Sequence, residues 1–220
     1  MLEHERLQEV YVPGRGNCFP LAFSCAMAAA GKNCAWEETR EAAAFGHETH
    51  TAKTVQGGRI WADYVLDDNE SAHAGNMTTR QWCAELGGPE AFAKVTEYCA
   101  TKVLLESEWF NNCDVHMVEV MQNVQIKVWQ LHEDGDKCWV HTYGSNTDRL
   151  AFGLRPLARD PLTIHIAFNG SNHFAPLLTV DDLAHGFPDV TSSKSLEVKR
   201  GHAGQPFVNP FGTTASVAHP

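Results

Sequence analysis

From Cys18 to Ala30 the chain reads CFPLAFSCAMAAA, apolar or small at nearly every position, between Pro13-Gly14-Arg15-Gly16-Asn17 and Gly31. A run without a polar face, entered and left through turn residues, predicts a tight loop feeding a buried helix, with Cys18 at the helix N-terminus. Glu37 to Phe45, EETREAAAF, predicts a second helix on propensity, and GHETHTAKTVQGG after it reads as loop. Residues 60 to 66, IWADYVL, form a short amphipathic piece ahead of the polar loop DDNESAHAGN. Thr79 to Leu86 has helical spacing and stops at Gly87-Gly88, and Pro89 then suits the first turn of a helix running to about Leu105. Asn111 or Asn112 can cap a further helix, CDVHMVEVMQN, with Val115, Val118 and Met121 on one face.

Beyond Asn123 the period shortens. In VQIKVWQL, Ile126, Val128 and Gln130 alternate with Lys127 and Trp129, which predicts a strand, and Lys137 to Tyr143 and Leu162 to Phe168 have the same texture. Asn169-Gly170-Ser171-Asn172 reads as the turn into a further strand from His173 to Val180. Helices first and closely spaced strands after them predict an α+β domain, with helices flanking a mostly antiparallel central sheet. Residues 181 to 220 are rich in Gly, Pro, Ser and Thr without a sustained period, so one domain over 1–180 and a flexible C-terminal tail over 181–220 are expected.

At 220 residues, with 43% hydrophobic and 20% charged side chains, the composition is that of a globular chain. Seventeen basic against 27 acidic side chains leave a net charge of −10, and the Lys and Arg are scattered. That balance argues against a nucleic-acid partner and suits a basic protein substrate. No apolar stretch approaches the length of a spanning helix, and the charged segment Met1 to Arg6 is unlike a signal peptide. A soluble, cytoplasmic monomer without a membrane partner is expected. Seven cysteines without a CxxC pair fit neither a disulfide framework nor a four-ligand zinc site, which predicts reduced thiols.

Among those thiols Cys18 has what a nucleophile needs. A glycine-bearing loop lets a substrate approach, and the helix N-terminus behind it favours the thiolate, which predicts a lowered pKa. The backbone N–H groups of Arg15, Gly16 and Asn17 can point into the same space and form an oxyanion hole. A general base must come from afar, and His173 opens a strand directly after a turn, where its ring can project over a helix N-terminus. The alternative is that Cys18 is one more small hydrophobe and His173, one of twelve histidines, a turn residue.

Gly14-Arg15-Gly16-Asn17-Cys18-Phe19, followed by a small-residue helix, resembles the G-D-G-N-C-L/F-F signature of the ovarian tumour (OTU) family of cysteine proteases, most of them deubiquitinases. Ser171-Asn172-His173-Phe174-Ala175-Pro176-Leu177, after TIHIAF, is similar to the family's N-H-Y/F segment with the catalytic histidine. Between them, Glu108-Trp109-Phe110-Asn111, a helix and VQIKVW resemble the family's Trp-Gly, helix, strand succession, so the likeness spans about residues 10 to 180 in order. Two positions depart from it. Arg15 stands where the family usually has Asp, and Ala175 stands where many members have an Asp or Asn that orients the imidazole.

The resemblance implies an OTU-like fold and a cofactor-free protease that cleaves after the C-terminal glycine of ubiquitin or a ubiquitin-like protein. Cys18 would be the nucleophile and His173 the base, with Asn172, Asn169 or Asp181 completing a triad or else a dyad at work. Because the ubiquitin tail is basic and runs extended, Phe174 is the expected apolar wall. Expected carboxylates are Asp67 and Asp68, with Asp63 and Glu70, or Glu106 and Glu108 ahead of Trp109. The alternative on the same fold is a catalytically silent module that binds ubiquitin-like partners, motivated by Arg15 and Ala175.

Other clusters carry less. Cys138, His141 and His132 could offer three zinc ligands, but on a strand Cys138 and His141 face opposite sides, so no metal is expected. His47 and His50 read as a solvated helix end, and Trp61, Trp82, Trp109, Trp129 and Trp139 as core anchors.

Overall fold

The structure, a computed structural model, describes residues 7–14, 16–51, 89–131, 138–151 and 153–184. The expected elements at 60–66 and 79–86, and the tail from 185 onward, lie outside the described residues.

Five strands form one mixed sheet: β1 (Leu7–Glu9), β2 (Gln125–Leu131), β3 (Cys138–Tyr143), β4 (Thr163–Phe168) and β5 (Phe174–Thr179), in the order β1-β5-β4-β2-β3. The β1–β5, β5–β4 and β2–β3 pairs are antiparallel, whereas β2 and β4 run parallel, with Ile126 opposite Ile164 and Val128 opposite Ile166. Parallel neighbours need a crossover longer than a hairpin. Residues 138–162 supply it: β3, the short helix α5 (Asn146–Ala151) and the segment leading to Thr163.

Against this sheet lies α1 (Cys18–Ala29), which packs on β5 and β4 and has its first ten residues buried. Its sequence has no polar stripe, and the helix is accordingly enclosed on all sides. Next comes α2 (Trp36–Gly46), which continues as a π-helical turn over His47–Thr51; that turn replaces the loop the sequence pattern predicts from residue 46. Two more helices pack on α2: α3 (Pro89–Val103) and α4 (Asn112–Gln122).

The start of α4 is a reciprocal cap, in which Asn111 Oδ1 accepts from the Asp114 N–H at 2.9 Å and Asp114 Oδ2 accepts from the Asn111 N–H at 2.9 Å. Every residue from Cys113 to Val120 is buried, and not one face alone, because α4 lies between α2 and β3. Past residue 180 the chain continues as α6 (Val180–Ala184), capped by Asp182 Oδ2 accepting from the Thr179 N–H at 2.9 Å, with Leu183 against the core.

The sheet order matters for function because it brings the two ends of the domain together. β1 runs beside β5, Glu9 opposite Leu177, and the Val10 N–H donates to the Pro176 carbonyl at 3.0 Å. The loop that leads to Cys18 is thereby laid along the start of β5, where residue 173 stands.

Candidate active site

The Cys18 thiol points at the backbone carbonyl of Asn172, 4.0 Å away, and the backbone N–H of Phe174 also faces the sulfur. The two residues flanking His173 therefore bracket Cys18 across 154 positions of sequence. His173 is half-buried, and its ring lies beside that of Tyr11, centroids 6.4 Å apart and 30° between planes. Tyr11 is 78% exposed, so one side of the imidazole carries an aromatic cover open to solvent. Nothing in the hydrophobic pattern marks Tyr11; only the β1–β5 pairing brings it there.

Asn17 precedes α1 in the N-cap position, yet its side chain makes no capping bond. Its Oδ1 accepts instead from Nε of Arg40 at 2.9 Å. Pro20 has no N–H and the Leu21 N–H is taken by the Asn17 carbonyl at 2.9 Å, which leaves the amides of Cys18 and Phe19 as the open donors of the first turn. Both amides, the Phe174 N–H and the Arg40 charge favour a Cys18 thiolate. Burial outweighs them and pushes the thiol up from its ordinary value, opposite to the direction expected from the helix N-terminus alone. Desolvation of the buried sulfur is the reason.

Gly16 sits at φ +81°, and a Cβ there would lie 2.5 Å from the Glu106 carbonyl oxygen and 2.7 Å from the carbonyl carbon of Ser107. Only glycine satisfies both demands. Of the residues whose N–H groups are expected to form the oxyanion hole, Arg15 lies outside the described residues; the carbonyl of Gly16, an acceptor and so no part of such a hole, accepts from Arg40 Nη2 at 2.9 Å.

The turn before β5 is organised by Asn169, whose Oδ1 accepts from the backbone N–H groups of Ser171, Asn172 and His173 at 3.0, 2.9 and 3.0 Å. Its Nδ2 donates to Asn172 Oδ1 at 3.2 Å, so the two asparagine side chains expected near the imidazole bond to each other and to the turn. Ala175 is buried in β5 opposite Ala167 and offers no acceptor side chain. Asp181 is at the far end of the strand, about 20 Å of extended chain from His173, too far to orient its ring.

Beside Asn172 and Phe174 opens a cleft of 420 Å³, walled also by Trp109, Asn111 and Tyr143. Phe174 is only 9% exposed: it lines the cleft while stacking on Phe168 at 4.6 Å and meeting Phe19 edge-on at 5.3 Å. Trp109 is 39% exposed at the cleft and is not a core anchor, whereas Trp129 is buried and donates from Nε1 to His165 Nδ1 at 3.1 Å. Glu106 is exposed, and Glu108 pairs with Lys102 at 3.9 Å. Asp63, Asp67, Asp68 and Glu70, like Trp61, Trp82, His132 and the side chains of Cys138 and Trp139, lie outside the described residues.

His47 corrects the reading of a solvated helix end. It is fully buried, with Nε2 at 2.8 Å from Asp114 Oδ1, because the π-helical turn tucks it against the start of α4. Cys18, Cys25, Cys34, Cys99 and Cys113 are all buried and in no disulfide. Among the described residues no helix is long and apolar enough to cross a membrane.

Neither a protein-family model nor a curated protein matches the chain. Solved structures do. The viral OTU domain protease from Farallon virus aligns with a TM-score of 0.54 at 16% identity, covering 82% of this chain and 89% of that one. An OTU deubiquitinase from Wolbachia pipientis wMel aligns at 0.49 and 14% identity over 87% of this chain and 95% of that chain. The same enzyme bound to ubiquitin aligns at 0.48, again with 14% identity, over 80% and 98%. The likeness to the Farallon virus domain establishes the fold: the chain has the α+β architecture of OTU domains.

Proposed function

We propose that the chain is a thiol protease of the deubiquitinase type, which hydrolyses the isopeptide or peptide bond after the C-terminal glycine of ubiquitin or a ubiquitin-like protein. The observation that carries the reading is the bracketing of the Cys18 sulfur by the Asn172 carbonyl and the Phe174 N–H, on either side of His173, within an OTU-type fold. Two OTU domains of related architecture are described as a deubiquitinase and a viral protease, the first also in a ubiquitin complex.

In this reading His173 takes the thiol proton as the Cys18 sulfur attacks the glycine carbonyl carbon, and the open amides of Cys18 and Phe19 meet the developing oxyanion. Collapse expels the amine, which takes its proton from the imidazolium and leaves a thioester on Cys18. Water gives a proton to the same histidine as its oxygen attacks the thioester carbonyl; the C–S bond breaks, the sulfur takes that proton back from the imidazolium, and the acid product loses its own proton to solvent. A thiol pushed up by burial fits a mechanism in which the base acts during attack.

The buried thiol and the missing acceptor at Ala175 favour a second reading, a silent module that holds ubiquitin-like partners without cutting them. Ubiquitin carrying a C-terminal electrophile separates the two. Covalent labelling at Cys18, lost in Cys18→Ala, supports the protease; tight binding without a covalent adduct supports the module and removes the first proposal.

A further inference from the structure

Arg40 is the charge that the fold buries most deeply beside the site, at 2% exposure, in the apolar stripe of α2. Its Nε donates to Asn17 Oδ1 and its Nη2 to the Gly16 carbonyl, both at 2.9 Å. Nη1 donates to the Val103 carbonyl, and Nη2 reaches the carbonyls of Glu106 at 3.4 Å and Glu108 at 2.9 Å. All of these acceptors are neutral. They divide into two sets: the two residues before Cys18, and the 103–108 segment that leads to Trp109.

The guanidinium plane also lies over Phe110, 5.1 Å from the ring centroid, and Phe110 stacks at 5.0 Å on Phe19, the residue after Cys18. The Gly16 Cα is pressed against the 106–107 backbone, so the two segments touch where Arg40 joins them.

We propose that Arg40 is the positioning residue of the Cys18 site, clamping the Gly16-Asn17 loop to the 103–108 segment so that the sulfur, the open first-turn amides and Trp109 keep one geometry. The role rests on the reading of Cys18 as the nucleophile. By drawing the Asn17 side chain onto itself, Arg40 also keeps that side chain from filling the helix N-terminus. A lysine cannot replace the fork, since a single ammonium cannot donate in the guanidinium's planar pattern to both segments at once. Burial pulls Arg40 down to about 10, while Asp114 of α4, Glu106 and Glu108 of the facing segment and Cys18 hold it up, so it is charged at neutral pH. That charge in turn favours the Cys18 thiolate.

The first arm of the test needs no ubiquitin, and the second reads turnover on a ubiquitin substrate. In the full chain, the rate of Cys18 alkylation by iodoacetamide is followed against pH by mass mapping in wild type, Arg40→Gln and Arg40→Lys, with thermal melting alongside and Cys18→Ser as the blank. Arg40→Gln is expected to move the alkylation midpoint upward, slowing the reaction at pH 8 by about tenfold for every pH unit that the midpoint rises. Arg40→Lys is expected to hold the midpoint near wild type yet, on a ubiquitin substrate, to lose roughly tenfold or more in kcat with KM little changed, because charge is kept and geometry is not.

A folded Arg40→Gln protein with the wild-type midpoint and wild-type kcat overturns the proposal and leaves Arg40 a packing residue. If Arg40→Gln does not fold, Asn17→Ala cuts only the Nε–Oδ1 link; unchanged alkylation and turnover in that variant overturn it equally. A wild type that cleaves no ubiquitin substrate but whose Cys18 midpoint still moves in Arg40→Gln refutes the protease reading alone.

Discussion

Asn169 holds His173 from both ends of its backbone: its side-chain Oδ1 accepts from the His173 N–H at 3.0 Å, and its own N–H donates to the His173 carbonyl at 3.1 Å. The path of the backbone past the Cys18 sulfur on either side of residue 173 thus depends on a turn closed by one amide side chain, which also gathers the N–H groups of Ser171 and Asn172. Asn169→Ala leaves those three donors to water and is expected to cost about 1 to 2 kcal/mol of stability and to lower kcat more than it raises KM. Asn169→Asp keeps the acceptor and should restore most of both. Equal activity in the alanine variant, measured on a fluorogenic ubiquitin substrate, would show that the turn holds without it.

His173→Ala should lower turnover by about 100-fold or more, as loss of a general base does. Because burial holds the Cys18 thiol above its ordinary value, the variant should not be rescued by a preformed thiolate at neutral pH. Raising the pH toward and beyond 9 should recover part of its rate, since hydroxide then replaces the missing base. A His173→Ala rate that is flat from pH 7 to 9.5 would place the proton acceptor elsewhere.

The sequence pattern reveals the helix at Cys18, a cap at Asn111 or Asn112, which the structure resolves to Asn111, and four of the strands, because each is written in local residue choice: a featureless apolar run, an Asn ahead of a periodic segment, or alternation. It does not reveal β1, whose three residues carry no period, nor the parallel pairing of β2 with β4, which depends on where the crossover leads and not on either strand. Arg40 is half legible. Trp36, Thr39, Arg40, Ala43 and Ala44 share the buried face at helical spacing, so a charge inside an apolar stripe is visible in EETREAAAF, but its acceptors are backbone carbonyls far along the chain, which no side-chain pattern encodes. Tyr11 is invisible for the same reason: it meets His173 only through the register of β1 on β5.

Gly16→Ala is expected to be more damaging than its size suggests. A left-handed φ of +81° costs a non-glycine residue about 1 kcal/mol or more, and the added methyl would meet backbone atoms of 106 and 107 that have no rotamer to escape into. The loop would have to move away from the 103–108 segment, taking Cys18 with it. Labelling of Cys18 by the ubiquitin electrophile should therefore fall by at least tenfold while far-ultraviolet circular dichroism changes little. Normal labelling would mean that the close approach of the two segments is dispensable.

If Glu106 and Glu108 steer a basic substrate tail, turnover efficiency should fall as salt rises from low to physiological strength, where screening shortens to about 8 Å. Glu108 is already paired with Lys102 at 3.9 Å, so Glu106, the more exposed of the two, should matter more. Glu106→Lys should flatten the salt dependence and lower kcat/KM through KM. A salt-independent wild type, or a charge reversal without effect, would leave recognition to shape and backbone pairing.

Alkaline stability follows from groups that the fold keeps neutral. Burial pushes the Cys25 thiol up from 9.0 to about 11 and the Tyr98 hydroxyl up from 10.0 to about 12, the latter aided by the neighbouring Cys99 and Glu108. A group whose folded pKa exceeds its unfolded one contributes its full share below the unfolded value. As pH rises past that value the unfolded chain releases its proton first, and the share is lost by the time the folded pKa is reached. The melting temperature should accordingly be flat below pH 9 on account of these groups and fall between about 9 and 12. Cys25→Ala loses some packing at every pH, which lowers the whole curve, but it removes one titrating group, so its slope between pH 9 and 11 should be shallower than that of wild type. Parallel curves for the two proteins would show that the Cys25 thiolate is accommodated in the folded core, and that its burial in α1 is less strict than the packing around Phe19 and Phe23 implies.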